Sequence, residues 1–298
     1  MSHTWTLTKM RIRLAMRNRA FFFFSLVMPL IFLFGAAFIF GKSSASRMAY
    51  VLGAVLTLTV MGSFWGLSVQ IVTFREQGIL RRFRIAPIGA GAILASSILS
   101  NYFLILPTVI FEVIVCHWAF HLNSWGNLWA IFVLVTFGSA AFAAFGLIVA
   151  SVTNTMQETQ MINNLIWMAF LVLSGATIPL ASMPSWIQRV ALFVPATYLA
   201  TGLEGATTNM ASAREVLTDL AALVLGLFVA FEISRRLFRW EPEAKVSRRA
   251  KWWVLAALVP FLVFGAWENI ATDRLSRMNT NFQTLRSTIA PVETPPAH

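Results

Sequence analysis

Four groups of residues in this 298-residue chain have types and spacings suited to chemistry. The first, Gly35-Ala-Ala-Phe-Ile-Phe-Gly41-Lys42-Ser43, ends like a phosphate-binding loop. That motif needs four residues between its glycines and a strand before it; here there are five, Ala36 takes the place due a glycine, and an apolar helix precedes. No other segment offers such a loop, so ATP, if it drives this protein, is bound by another chain. The second group is Glu112, Cys116, His117 and His121, whose i, i+4 spacing brings together donor types found in zinc sites. The same histidines serve as polar anchors at a membrane interface, and with no further ligand or supporting partner to name, no metal is assigned.

The third group is the segment Phe74-Arg-Glu-Gln-Gly-Ile-Leu-Arg-Arg-Phe-Arg-Ile-Ala-Pro87. Leu80 and Phe83 form an apolar i, i+3 pair within a collar of Arg81, Arg82 and Arg84, and Pro87 stops the helix. Such a short amphipathic helix suits a groove on a soluble partner, although a solvated basic loop reads the same. The fourth runs from Ile178 to Glu204, apolar but broken by Pro184 and Pro195 and carrying Arg189. Trp186, Val190 and Phe193 keep helical spacing between the prolines. Two short re-entrant helices sheltered by other spans fit this pattern, and so does an interfacial loop.

The elements that must position these groups follow from composition. The chain is 58% hydrophobic and 12% charged, with mean hydropathy +0.72; a soluble domain is about 45–50% apolar and ~25% charged. Too few charges remain for a polar skin, so the expected fold is an all-α polytopic membrane protein. Apolar stretches long enough to cross a bilayer occur at 21–40, 49–73, about 93–115, 128–152, 161–180 and 216–233. A seventh, 252–267, is shorter and contains Pro260; it is expected either to cross as an extra C-terminal span with local thinning or to lie in the interface. The twenty-residue run at 21–40 exceeds a signal peptide's apolar core and is read as a retained span. Glu112 inside a span calls for a cavity or partner; Asp219 and Glu232, nearer helix ends, are accommodated by snorkelling or helix-end electrostatics. The single Cys116 leaves no intramolecular disulfide.

Basic residues sort by side. Lys9, Arg11, Arg13, Arg17 and Arg19 precede the first span, Arg75, Arg81, Arg82 and Arg84 follow the second, and a run from Arg235 to Lys251 follows the sixth. The other side has only Lys42, Arg47, Arg189, Arg214 and three arginines of the tail. The +11 net charge is therefore read as an orientation, N-terminus cytoplasmic in a cytoplasmic (inner) membrane, and not as nucleic-acid binding. Leu7, Met10 and Leu14 opposite Lys9, Arg13 and Arg17 make residues 1–20 either an amphipathic interface helix or a basic topogenic flank.

In order of parts, the sequence resembles the membrane subunit of an ABC transporter of type 2. The resemblance rests on the basic N-terminal helix, the Phe-rich first span with Pro29, Arg75-Glu76-Gln77-Gly78-Ile79-Leu80-Arg81-Arg82 after the second span, and Met183-Pro184-Ser185-Trp186 followed by Pro195-Ala196-Thr197-Tyr198. It implies a six-span permease domain over 21–238, working as a homo- or heterodimer with separate ABC ATP-binding subunits that hold ATP and magnesium. This chain would bind no cofactor and be no enzyme. In the family the loop at 74–87 is the coupling helix on the ATPase, mapping here to Arg75, Glu76, Gly78, Leu80, Arg81, Arg82, Phe83 and Arg84. The outer re-entrant hairpin, 178–208, with Pro184, Trp186, Pro195 and Tyr198, would shape the exit. The extension 239–298 has no place in the six-span pattern.

The expected function is a permease of an ATP-driven exporter moving a lipophilic substrate such as a drug or lipid. Candidate path residues are the polar and aromatic positions of the second and fifth spans: Ser63, Trp65, Gln70, Asn163, Asn164, Trp167 and Ser174. Asn163 and Asn164 are neighbours and cannot share a helix face, so one is available to fasten helices. Gly62 and Gly66 form a small-xxx-small pattern suited to close helix packing. An ion-coupled transporter or channel is the alternative, but it needs several buried ionisable groups, and Glu112 is the main one. An intramembrane enzyme finds no catalytic constellation.

Overall fold

The computed structural model describes residues 2–17, 19–40, 45–81, 89–122, 124–240, 253 and 255–287. Helices α1 (Ser2–Arg17), α2 (Arg19–Phe40), α3 (Ala45–Glu76), α4 (Ala90–Ala119), α5 (Leu128–Val152) and α6 (Met156–Leu173) come first. A 3-10 turn (Leu180–Ser182) leads to α7 (Ser185–Ala191), α8 (Pro195–Thr208), α9 (Ala213–Leu237), α10 (Val259–Ala271) and α11 (Arg274–Ser287). No strand occurs among the described residues. Four helices, Arg47–Glu76, Ala90–Ala119, Leu128–Val152 and Ala213–Leu237, are long and apolar enough to cross a membrane. In such a setting every backbone polar group must be satisfied within its own segment, which helices achieve.

The apolar windows of α3 and α5 are each 72% buried, against 28% for α4 and 33% for α9, so α3 and α5 form the centre. Lipid gives apolar helices no hydrophobic reason to associate, so close packing must hold them. At Gly146 a Cβ would collide with the Phe64 carbonyl oxygen, so only glycine lets α5 approach α3 this closely. Phe64, Phe142 and Phe170 then meet edge to face, joining α3, α5 and α6. Among the described residues Gly62 and Gly66 play no such part: a Cβ at Gly62 would meet nothing within 4 Å.

Helix α8 runs antiparallel to α5. Asn127, at the start of α5, donates its backbone N–H to the Ala206 carbonyl at 2.8 Å, while Leu199 packs at Gly138. Proline at the first position of α8 suits a helix start, because its missing N–H would have no partner there. The turn before it is tied by Tyr198, whose hydroxyl donates to the Leu192 carbonyl at 2.7 Å, and by Thr197 to the Ala191 carbonyl at 2.6 Å. Segment 178–208 is thus two short helices joined by a turn ahead of Pro195, with α8 packed along α3 and α5 and α7 against α6.

Three sequence expectations shift in the structure. The fifth apolar stretch is helical over Met156–Leu173 instead of 161–180, because Thr155 caps it early and Gly175, at φ +92, breaks it. In α1 the face packed on the bundle is Leu7, Thr8 and Arg11, whereas Met10 and Leu14 are exposed. The buried guanidinium wins this face because it donates to the Ser97 hydroxyl and lies 5.4 Å from the Phe74 ring. Burial pushes Arg11 down to about 10, which leaves it charged at neutral pH.

The seventh stretch is the third. Trp253 lies under Arg236, near the C-terminal end of α9; Phe261 packs at Gly226, midway; Arg274 reaches Asp219 near the N-terminal end. The segment therefore runs antiparallel to α9 over most of its length. It is not one helix: among the described residues 253 and 255–256 are helical, the chain turns at Ala257 and Leu258, and helix resumes over Val259–Ala271. Pro260 at the start of α10 removes a backbone donor and favours the restart.

Candidate functional site

The segment after the second span is built inward rather than outward. Arg75, 1% exposed, donates from Nη1 to the Ala150 carbonyl at 2.8 Å and from Nη2 to the Thr153 carbonyl at 2.5 Å. These are unpaired carbonyls at the C-terminal end of α5, where a cation also meets the negative end of the helix dipole. Arg239 joins it on the Thr153 carbonyl and donates to Asn154 Oδ1 at 3.0 Å; burial lowers its pKa. Glu76 turns the other way, its Oε1 accepting the Met156 backbone N–H at 2.8 Å. That is an orphan donor at the first turn of α6, where a carboxylate is favoured. Two adjacent residues of α3 thus clasp the end of α5 and the start of α6.

Gly78 follows at φ +69, a conformation that side chains rarely adopt, and turns the chain back. Leu80 is then fully buried among Leu67, Ile71, Leu94, Leu147 and Ala150. The apolar knob expected to dock on a partner is part of this chain's own core, and Arg81 is the exposed neighbour. Arg82, Phe83, Arg84 and Pro87 lie outside the described residues.

Among the candidate path residues, the seam between α3 and α6 brings three together. Trp65 and Trp167 meet edge to face, centroids 6.3 Å apart, and Asn163 donates to the Ser68 hydroxyl at 2.6 Å. Asn163 is buried and fastens the seam, while Asn164 is exposed on another face. Gln70 is half-buried. Ser63 is buried with its hydroxyl oxygen unpaired, and Ser174 is used up locally, accepting the Ala176 N–H at 3.2 Å. In the hairpin Trp186 is exposed at 66%, whereas Pro195 and Tyr198 are buried.

The sequence profile of the family described as ABC-2 type transporter matches residues 2–207, from α1 through most of α8. This chain belongs to the ABC-2 type transporter family. It is 28% identical over 192 residues to the linearmycin resistance permease protein LnrN of Bacillus subtilis (strain 168), covering 64% of this chain and 47% of that protein. It is 29% identical over 186 residues to the daunorubicin resistance ABC transporter permease protein DrrB1 of Streptomyces coeruleorubidus, covering 59% of this chain and 64% of that one. The chain thus spans about half the length of the first relative and less than two thirds of the second.

The ABC-2 match ends before α9, and the residues that sequence reasoning missed lie mostly beyond it. Asp219, expected to be eased by its place near a helix end, is 1% exposed and paired with Arg274 at 2.5 Å. Arg274 also reaches Glu268 at 3.2 Å and the Thr201 hydroxyl at 2.7 Å, and lies 5.4 Å from the Tyr198 ring. Burial alone would lower the Arg274 pKa, but the two carboxylates more than offset that and raise it. A readable signal existed: Ser212 and Glu215 form a capping box that starts α9, which places Asp219 nearly two turns inside the helix, where it needs a cation. Glu232, in contrast, is bound by Arg235 and Arg236 in an exposed cluster.

Within the ABC-2 region, Glu112 is fully buried, its Oε1 accepting from Thr59 at 2.6 Å and its Oε2 unpaired. The rest of its sequence group disperses. Cys116 faces the Met48 carbonyl and His117 stacks on Trp125 at 3.7 Å. No three His, Cys, Asp or Glu residues converge among the described residues.

Proposed function

We propose that this chain is the permease subunit of an ATP-driven exporter, pairing with a second permease copy and with separate ABC subunits that hold ATP and magnesium. The observation that carries the reading is the Arg75–Glu76 clasp within an ABC-2 domain. A push on the loop after α3 is delivered at once to the ends of α5 and α6, because charged hydrogen bonds to helix termini tie the three together. Arg75, Glu76, Gly78 and Leu80 act as the fixed root of the coupling element, and Arg81 to Arg84 as the part offered to the ATPase. Alternating access then requires only that ATP favour one of two arrangements of the bundle.

The path would lie along the α3–α6 seam between the two copies, with Trp65, Gln70 and Trp167 facing it and the hairpin 178–208 at the exit. Its aromatic character supports a lipophilic cargo, and both relatives are named as drug-resistance permeases. The basic residues at the α3–α4 and α9 ends support a cytoplasmic-membrane orientation with α1 inside.

Co-expression with a candidate ABC ATP-binding subunit tests the reading. The expected result is co-purification and drug-stimulated ATPase activity, with Arg82→Glu and Arg84→Glu together abolishing both while the permease itself remains monodisperse. Intact coupling in that double variant would overturn the assignment.

A further inference from the structure

Between the hairpin and the extension lies a cavity of about 100 Å³, floored by Tyr50, Thr201, Glu204 and Asp219 and roofed by Met278 and Phe282 of α11. Its charges do not balance. Arg274 is shared by Asp219 and Glu268, both buried. Glu215, on the rim, is paired with Arg277 at 2.9 Å. Glu204 has no cationic partner: its Oε1 is enclosed and makes no hydrogen bond, and the donor beside its carboxyl is the neutral Tyr50 hydroxyl. An enclosed carboxylate oxygen without a donor is costly, and a cation brought into the cavity removes that cost.

The walls say which cation. One carboxylate without a cation, among Leu180, Met278 and Phe282, cannot supply the six to eight oxygens a calcium ion takes. An ammonium group on a compact apolar body instead matches both the single acceptor and the apolar lining, as in small-molecule sites where a few polar groups orient an apolar ligand. We propose that this cavity is a binding site for small organic cations, with Glu204 as the anchor and α11 as the roof. The roof lies beyond the ABC-2 match, so the site exists only where the extension folds over the hairpin. The proposal concerns binding and stands apart from the transport reading.

The test uses the purified full chain in detergent, with benzylammonium and its neutral counterpart benzyl alcohol titrated separately by calorimetry. A charge-assisted pair predicts that the amine binds at least ~10-fold tighter than the alcohol. Glu204→Gln, which keeps the shape, should erase that preference. Equal affinities for amine and alcohol, an unchanged preference in Glu204→Gln, or displacement of the amine by equimolar potassium would each overturn the proposal. Should Glu204→Gln not yield monodisperse protein, Asn281→Trp on α11 fills the cavity from outside the bundle. Loss of amine binding then supports the site, and retained binding overturns it.

Discussion

Replacing Arg75 by Met keeps much of the side chain's apolar length and deletes both donors of the clasp. A net hydrogen bond to a charged group contributes ~1.5–3 kcal/mol, so losing two would cost ~3–6 kcal/mol. Two features of the structure reduce that. The Thr153 carbonyl keeps Arg239, and the guanidinium is buried with Nε unpaired, so its removal also relieves a desolvation cost. A local loss of ~1–3 kcal/mol is expected, or about 5- to 150-fold in the opening equilibrium of the α5–α6 junction. Amide hydrogen exchange over 150–160 reads this directly, since local opening sets the rate there. Exchange should quicken there while α8 and α9 stay as protected as before. Arg81→Met, at an exposed position beyond the turn at Gly78, is the matched control. Unchanged exchange in Arg75→Met, or an equal rise in Arg81→Met, would refute the clasp.

Other outcomes follow from the packing. Phe261→Ala should cost ~3–5 kcal/mol in thermal unfolding, because the ring is fully buried between Phe145 and Tyr198, whereas Leu262→Ala, half exposed, should be near neutral. Gly146→Ala should abolish the monodisperse peak in size exclusion, since the obstructing atom is backbone, while Gly62→Ala should leave it intact. Arg274→Gln should lower stability by ~3–5 kcal/mol by leaving two buried carboxylates uncompensated. Adding Asp219→Asn should recover part of that loss in a double-mutant cycle of melting curves, because the two residues share one network.

The membrane class, the long apolar helices and the breaks at Pro184 and Pro195 are legible in the chain alone. These are local properties: hydropathy sums over about twenty neighbours, and proline removes its own donor wherever it sits. The family could also be read locally, since Arg75-Glu76-Gln77-Gly78 is a contiguous pattern. Its physical meaning could not. Burial and pairing depend on what arrives from elsewhere, and α5 delivers its carbonyls to Arg75 from 75 and 78 residues away. For the same reason Leu80 reads as an exposed knob until Leu94 and Leu147 enclose it, and Asp219 reads as a tolerable helix-end charge until Arg274 arrives from 55 residues on. Charge and greasiness are written residue by residue, but the desolvation cost of each charge is set by its neighbours in space, and only the tertiary structure chose those.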